Sequence, residues 1–489
     1  MLLWLAVATS SLVSALLVTP RLARLATAWG IVDHPDPRKV HRGPVPYLGG
    51  GAIVAALAVG LGVGLGVVGL GGTTLPWPAA AECLELGALL LGGVVMFAMG
   101  LADDARGLRV RYRLALQLAA ASAVYAAGVR VEALALADGW VLSLGAWSYV
   151  WTVLWIVGLT NAVNFIDGVD GLASGLCTVA SAAIGYVALS NGQYATAVVM
   201  VALIGALLGY LPFNWHPARI FLGDSGSLLL GFVLASAAVS TAAKAAAFVG
   251  LAVPAIALGV PIIDTAFAVV RRAIERRSVF APDRQHVHHR LLDLGYHPRR
   301  VAVVLVIEAA VATIAAIALL NVVPQARLVV VLGLLTLHLG LFRWCGALRL
   351  RDALRLRRTA ASEDLAPAGL VSAEWEGRLR DCVTVDDWWR SVCGVAAELG
   401  CTALRFQLDR RDGGVLDLRW SADSGAGGEP AAAPAELPVR HRRRGPPLVL
   451  AVTGPVDGEV GIRRLAGLLE RHSLAELGTS RLGIAPATA

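Results

Sequence analysis

Eleven apolar runs of helical length, separated by short polar joints, fill the first 345 residues of the chain. They lie near 1–19, 48–70, 84–102, 114–129, 148–163, 175–190, 195–212, 226–242, 246–264, 300–320 and 326–345. At 1.5 Å per residue, runs of this length approach the ~30 Å hydrocarbon thickness of a bilayer. The pattern predicts an all-α polytopic membrane protein with about eleven spanning helices. Beyond residue 359 long apolar runs stop. There "TVDDWWRSVCGVAAELG" reads as an amphipathic helix and "TALRFQLDRRDGGVLDLRW" as short alternating strands. "EPAAAPAELPVRHRRRG" reads as a loop and "EVGIRRLAGLLERHSLAEL" as a closing helix. The tail therefore predicts a small α+β domain over 371–489, loosely GAF-like and suited to regulation or docking. A basic linker at 346–370 joins it to the membrane domain at 1–345.

Composition agrees with this division: 57 % of the residues are apolar, 16 % are charged, and the mean hydropathy is +0.67, a balance that excludes an ordinary soluble protein. The net charge of +7 is unevenly placed. Residues 360–489 hold 15 Lys/Arg and 18 Asp/Glu, so the basic excess belongs to the membrane part. Its cause is loop topology rather than nucleic-acid binding, since no aromatic-basic interleaving is present. With the N-terminus outside, the inside joints carry 18 Lys/Arg and the outside joints only Arg130, Lys244 and Arg327. The positive-inside rule then expects a cytoplasmic-membrane protein with its C-terminal domain in the cytoplasm. Arg21 and Arg24 follow the first apolar run rather than preceding it, which suits an uncleaved first span. The six cysteines show no CxxC spacing and read as free thiols.

The polar clusters all fall on the inside. "GLADDARGLRVRYR" places Asp103 and Asp104 at the end of the third run. Adjacent carboxylates repel, so a metal ion or the arginines that follow, Arg106 and Arg109, must neutralise them. "NAVNFIDGVDGLASG" spaces Asn161, Asn164, Asp167 and Asp170 at intervals of three, and Gly168 and Gly171 predict a helix end or re-entrant turn. Their oxygens suit Mg²⁺, ribose hydroxyls or base edges. "FNWHPARIFLGDSGSLLLGF" offers Asn214, His216, Arg219, Phe221 and Asp224. The last opens a helix, where capping and metal ligation both fit. The loop around "PDRQHVHHRLLDLG" sets His286, His288, His289 and Arg290 among further cations, an anion site rather than a zinc site because no cysteine accompanies them. Two other motifs carry no chemistry. "GLGVGLGVVGLGG" lies in a span and reads as helix packing, and "GDSGS" lacks the partners that would make Ser225 a nucleophile. Carboxylates for Mg²⁺ beside a cationic clamp are what phosphoryl transfer needs.

In order, spacing and sidedness these four motifs resemble the polyprenyl-phosphate N-acetylhexosamine-1-phosphate transferases of glycosyltransferase family 4, over about residues 1–345. The bacterial undecaprenyl-phosphate GlcNAc-1-phosphate transferase branch is the most similar. The resemblance implies transfer of N-acetylhexosamine-1-phosphate from a UDP-sugar to undecaprenyl phosphate, releasing UMP, with Mg²⁺ (or Mn²⁺) as cofactor. The product would begin a lipid-linked cell-envelope polysaccharide. The resemblance further implies Asp224 as the main metal ligand with Asn164 beside it. Asp103 and Asp104 would bind or deprotonate the lipid phosphate or help place the metal. Asp167, Asp170 and Asn214 would face the nucleoside, Asn161 would bind substrate, Phe221 would stack on uracil, and His286, His288, His289 and Arg290 would grip the diphosphate and sugar. Lys39, His41 and Arg42 would contact phosphate from the first inside loop. Ala105, Arg106 and Gly107 after the paired aspartates, and the short QHVHHR run, depart from the phospho-MurNAc-pentapeptide translocase branch and favour GlcNAc. A homodimer is one expected assembly. A membrane transporter is the rival from another class, but the polar groups sit at one face and no inverted repeat is visible.

Overall fold

A computed structural model describes residues 1–33, 43–71, 78–137, 140–244, 247–274, 286–322, 327–344, 379, 385–409, 415–421, 435–439, 448–453, 465 and 469. The chain divides into two compact units, Met1–Leu356 and Arg357–Ala489.

The first unit is helical: α1 (Leu2–Ala28), α2 (Gly49–Gly69), α3 (Ala80–Arg106), α4 (Val110–Ala126), α5 (Trp147–Ile166), α6 (Leu172–Ser190), α7 (Tyr194–Asn214), α8 (Gly223–Lys244), α9 (Ala247–Ala257), α10 (Gly259–Ile274), α11 (Val287–Asp293), α12 (Pro298–Val322) and α13 (Arg327–Trp344). Every apolar run of the sequence has its helix, but they are not equal. Among the described residues eight helices are long and apolar enough to cross a membrane, or nine if one bent pair counts as a span. The remaining two of the eleven expected runs form α4, of 17 residues, and α13, of 18. The ninth run is broken: α9 and α10 meet at a bend of 77°. Pro254 and Pro261 flank the break, and each removes a backbone donor from the ladder. The joint at 130–147 holds a hairpin of β3 (Ala133–Ala137) and β4 (Trp140–Ser143). A shorter antiparallel pair is formed by β1 (Val32–Asp33) and β2 (Val45–Pro46).

The centre of this unit is α8, whose apolar length is enclosed on every side. Its sequence, "GDSGSLLLGFVLASAAVSTAAK", explains how: no face is polar enough for water, and small residues let neighbouring backbones approach. A Cβ on Gly231 would lie 2.7 Å from Thr160 Cα of α5, and one on Gly50 of α2 would lie 2.5 Å from the Gly226 nitrogen. Large apolar side chains on α1, α5 and α12, among them Leu17, Leu154 and Ile314, are exposed and form the face a bilayer would cover.

The second unit holds helix α14 (Val385–Glu398) and an antiparallel sheet of β5 (Ala403–Asp409), β6 (Val415–Ser421), β7 (Ala435–Val439) and β8 (Leu448–Thr453), in the order β6-β5-β8-β7. Trp388 of α14 is buried against Phe406 of β5, ring centroids 5.4 Å apart. β7 corrects the sequence reading, which placed a loop there. Cys83, Cys177, Cys393 and Cys401 are free thiols, as expected.

Candidate active site

The end of α3, the α5–α6 turn, the loop before α8 and helix α11 come together at one end of the helical unit. α8 begins at Gly223, whose φ of 72° is a left-handed conformation that favours glycine. The first amides of a helix lack intrahelical partners. Here they are satisfied from α3: the Asp224 and Ser225 N–H groups donate to Asp104 Oδ1 and Oδ2 at 2.9 and 3.1 Å. Asp104 is thus the cap of a helix 120 residues away. Gly100, one turn earlier in α3, makes this approach possible, since a Cβ there would stand 2.4 Å from the Asp224 oxygen.

Capped by Asp104, α8 does not need the Asp224 carboxylate, which points elsewhere. Its Oδ1 accepts from Asn164 Nδ2 at 2.7 Å, and its Oδ2 lies 3.2 Å from Arg113 Nη1. The same Arg113 nitrogen is tightly paired with Asp103 Oδ2, and Arg113 Nη2 donates to Asn164 Oδ1 at 3.4 Å. Asn164 Nδ2 also donates to Ser227 Oγ at 2.8 Å, which fixes its amide orientation. Asp103 accepts the Leu108 N–H as well. The neutralising cation is therefore Arg113 on the first turn of α4, not Arg106 or Arg109.

Around this centre the other expected residues divide. Asp167 follows the last turn of α5. Burial, then the charges of Asp224, Asp104 and Asp170, push its carboxyl well above the usual carboxylate range. Asp170 accepts from the Ala218 N–H at 3.0 Å and pairs with His216 Nδ1 at 2.7 Å, tying the α5–α6 turn to the loop before α8. Asn214 is buried: it accepts from Ser174 Oγ and donates to the Ile220 carbonyl, so its amide shapes that loop. Asn161 exchanges hydrogen bonds with Gln117 of α4. Phe221 lies 6.0 Å from the Tyr47 ring, in a bridge where its N–H donates to the Pro46 carbonyl. Lys39, His41 and Arg42 lie outside the described residues. Ser225 is fully buried, which agrees with its dismissal as a nucleophile.

Helix α11 brings the histidines. Asp264 of α10 accepts from His286 Nδ1 at 2.7 Å and the Val287 N–H at 2.9 Å, anchoring the start of α11. The His286 and His288 rings stack, 5.8 Å apart, and His289 lies beside His288 at 4.3 Å. A Cβ on Gly168 would lie 2.5 Å from His288 Nε2, so this imidazole packs directly on the turn that carries Asp167. Burial, then His289 and His286, hold His288 well below the ordinary histidine range, so it is neutral near pH 7. Among the described residues, its Nδ1 and the Arg290 Nε are buried with no hydrogen-bond partner. Buried polar groups of this kind ordinarily find partners, here or in a ligand.

Two residues the sequence reading passed over are central: Arg113 and Asp264. Asp264 carried a signal, since a lone carboxylate inside an apolar run is costly and marks a functional or structural partner. Arg113 carried none beyond being one of four arginines in its joint.

As a cation site, Asp224, Asp103 and Asn164 offer hard oxygen donors. Among the described residues no three His, Cys, Asp or Glu side chains form a ready-made cage. Mg²⁺ does not need one, because it usually takes one or two carboxylates plus waters and substrate phosphates. A guanidinium already held by these oxygens demonstrates that they accept positive charge. The donor set fits Mg²⁺.

The family model described as glycosyl transferase family 4 matches residues 86–242. The chain is 36 % identical over 312 residues to the "probable undecaprenyl-phosphate N-acetylglucosaminyl 1-phosphate transferase" of Bacillus subtilis, covering 63 % of this chain and 83 % of that protein. It is 36 % identical over 333 residues to the "decaprenyl-phosphate N-acetylglucosaminephosphotransferase" of Mycobacterium tuberculosis, covering 63 % and 80 %. The "undecaprenyl-phosphate alpha-N-acetylglucosaminyl 1-phosphate transferase" of Escherichia coli K12 is 29 % identical over 293 residues, covering 59 % and 76 %.

Proposed function

The chain belongs to glycosyl transferase family 4, and we propose that it transfers GlcNAc-1-phosphate from UDP-GlcNAc to undecaprenyl phosphate at the cytoplasmic face of the bacterial inner membrane. It is a phosphotransferase of the polyprenyl-phosphate sugar-1-phosphate type. The observation that carries the finer reading is the Asp224–Asn164–Asp103 oxygen cluster with the His288–Arg290 donors packed beside it. The one-sided distribution of Lys and Arg supports eleven spans with the N-terminus outside and this cluster inside.

In the reaction an oxygen of the lipid phosphate attacks the β-phosphorus of the UDP-sugar. The bond from that phosphorus to the bridging oxygen breaks, and UMP leaves with the oxygen and its electron pair. Asp224 and Asn164, with Asp103 near, would hold Mg²⁺, which supplies charge neutralisation to the diphosphate. His288 Nδ1 and Arg290 Nε offer hydrogen bonds to phosphate oxygens. Asp104 positions Asp224 through the start of α8, and Asp264 positions the histidines through the start of α11. Both carboxylates of the adjacent pair are engaged, Asp103 with Arg113 and Asp104 with two backbone amides. That supports direct displacement over a covalent intermediate on either.

Purified protein given UDP-GlcNAc, undecaprenyl phosphate and Mg²⁺ is expected to release UMP, and EDTA or Asp224→Ala to abolish it. A panel of UDP-sugars assigns the donor. No UMP from any UDP-amino sugar with monodisperse protein would overturn the reading.

A further inference from the structure

We propose that Arg113 is the resident counter-cation of the metal site, competing with the divalent ion for the same oxygens. The proposal rests on the reading of Asp224 and Asn164 as metal-holding residues. Three oxygens from three separate elements converge on its guanidinium: Asp103 Oδ2 from α3, Asn164 Oδ1 from α5 and Asp224 Oδ2 from α8. Only the planar fork of an arginine presents two nitrogens to such a set at once. Without a cation there, two carboxylates would face one another at a site where their side chains are only 7 % and 31 % exposed. Such an arrangement is unstable unless one is protonated or a positive charge intervenes.

The same three oxygens cannot serve a guanidinium and a divalent ion fully at one time. Metal entry therefore detaches Arg113 from Asp224 and Asn164. The side chain remains tethered to the first turn of α4, with its freed nitrogens available to donate to phosphate oxygens. A purely structural salt bridge would make a different prediction. Removing it would loosen the cluster and weaken metal binding, whereas removing a competitor strengthens it.

The test is Mn²⁺ titration of the full-length protein in lipid nanodiscs, without substrates, followed by electron paramagnetic resonance. Wild type is expected to bind one Mn²⁺ that Asp224→Asn abolishes. Arg113→Gln removes a unit charge within about 4 Å of the ion, and after discounting for solvent exposure its affinity is expected to rise about tenfold. Arg113→Lys keeps the charge but loses the fork, and is expected to bind about threefold more tightly than wild type. Under turnover Arg113→Gln should half-saturate at lower Mg²⁺ with a lower kcat. Equal or weaker Mn²⁺ binding by Arg113→Gln overturns the proposal. If that variant does not fold, Arg113→Lys decides by the same criterion. Failure of wild type to show Asp224-dependent Mn²⁺ binding would instead overturn the metal reading itself.

Discussion

Asp104→Ala separates a positioning carboxylate from one that takes part in chemistry. The Asp104 side chain receives two amides of α8 at 2.9 and 3.1 Å. Hydrogen bonds to a charged acceptor contribute about 1.5–3 kcal/mol each, and measured cap deletions cost about 0.5–2 kcal/mol. Both amides sit at a protein-enclosed helix start where water replaces the carboxylate poorly, so a loss of about 2–3 kcal/mol follows. Asp104→Asn keeps one acceptor oxygen and should lose about 1 kcal/mol. At ~2 °C per kcal/mol for a chain this large, thermal midpoints should fall by about 5 °C and 2 °C. Detergent-solubilised protein followed by intrinsic fluorescence at one fixed scan rate measures this, because unfolding of such chains is usually irreversible. UMP release should track the stability order, wild type above Asp104→Asn above Asp104→Ala. An Asp104→Ala protein as stable as wild type but devoid of activity would refute the capping argument and make Asp104 a chemical participant.

Other outcomes follow from the same geometry. Gly100→Ala forces a Cβ to within 2.4 Å of α8 backbone and should cost at least ~2 kcal/mol and most activity, whereas Gly87→Ala on the same helix meets nothing within 4 Å and should be neutral in both assays. His288 binds fewer protons folded than unfolded below about pH 6.5, so stability should fall as pH drops below that value, by up to ~1.4 kcal/mol per unit. A His288→Asn protein, measured by thermal midpoint against pH, should show a shallower acid slope. In the helical unit His338 Nε2 lies 3.3 Å from Glu308 Oε1 and packs on Gly259 at the α9–α10 break. A double-mutant cycle of Glu308→Gln and His338→Leu should give a coupling of about 1–3 kcal/mol, and simple additivity would exclude the pair.

Much of the site was legible because chemistry and topology pointed the same way. Carboxylates and carboxamides at the edges of apolar runs are costly, and the basic joints imply one side for them, so the sequence alone groups Asp103, Asn164 and Asp224. The division of labour among them was not legible. Whether Asp224 capped its own helix depended on Asp104, 120 residues away, and nothing local to "GDSGS" records that α3 supplies the cap. The choice of Arg113 over Arg106 and Arg109 depends on where Gly107 turns the chain between α3 and α4. The break at Leu258 was hidden by a continuous apolar run, although Pro254 and Pro261 together marked it in retrospect. Strand β7 was masked by its Pro and Ala content, and its pairing with β8 is a long-range contact that local propensity does not contain.

The claim that separate loops form one cation-centred phosphate site is tested most directly by ³¹P electron–nuclear double resonance of Mn²⁺-loaded protein with UDP-GlcNAc. Coupling between the ion and the donor's phosphorus nuclei, present in wild type and lost in Asp224→Asn, is the result expected. Bound Mn²⁺ with no phosphorus coupling in wild type, or coupling that survives Asp224→Asn, would contradict it.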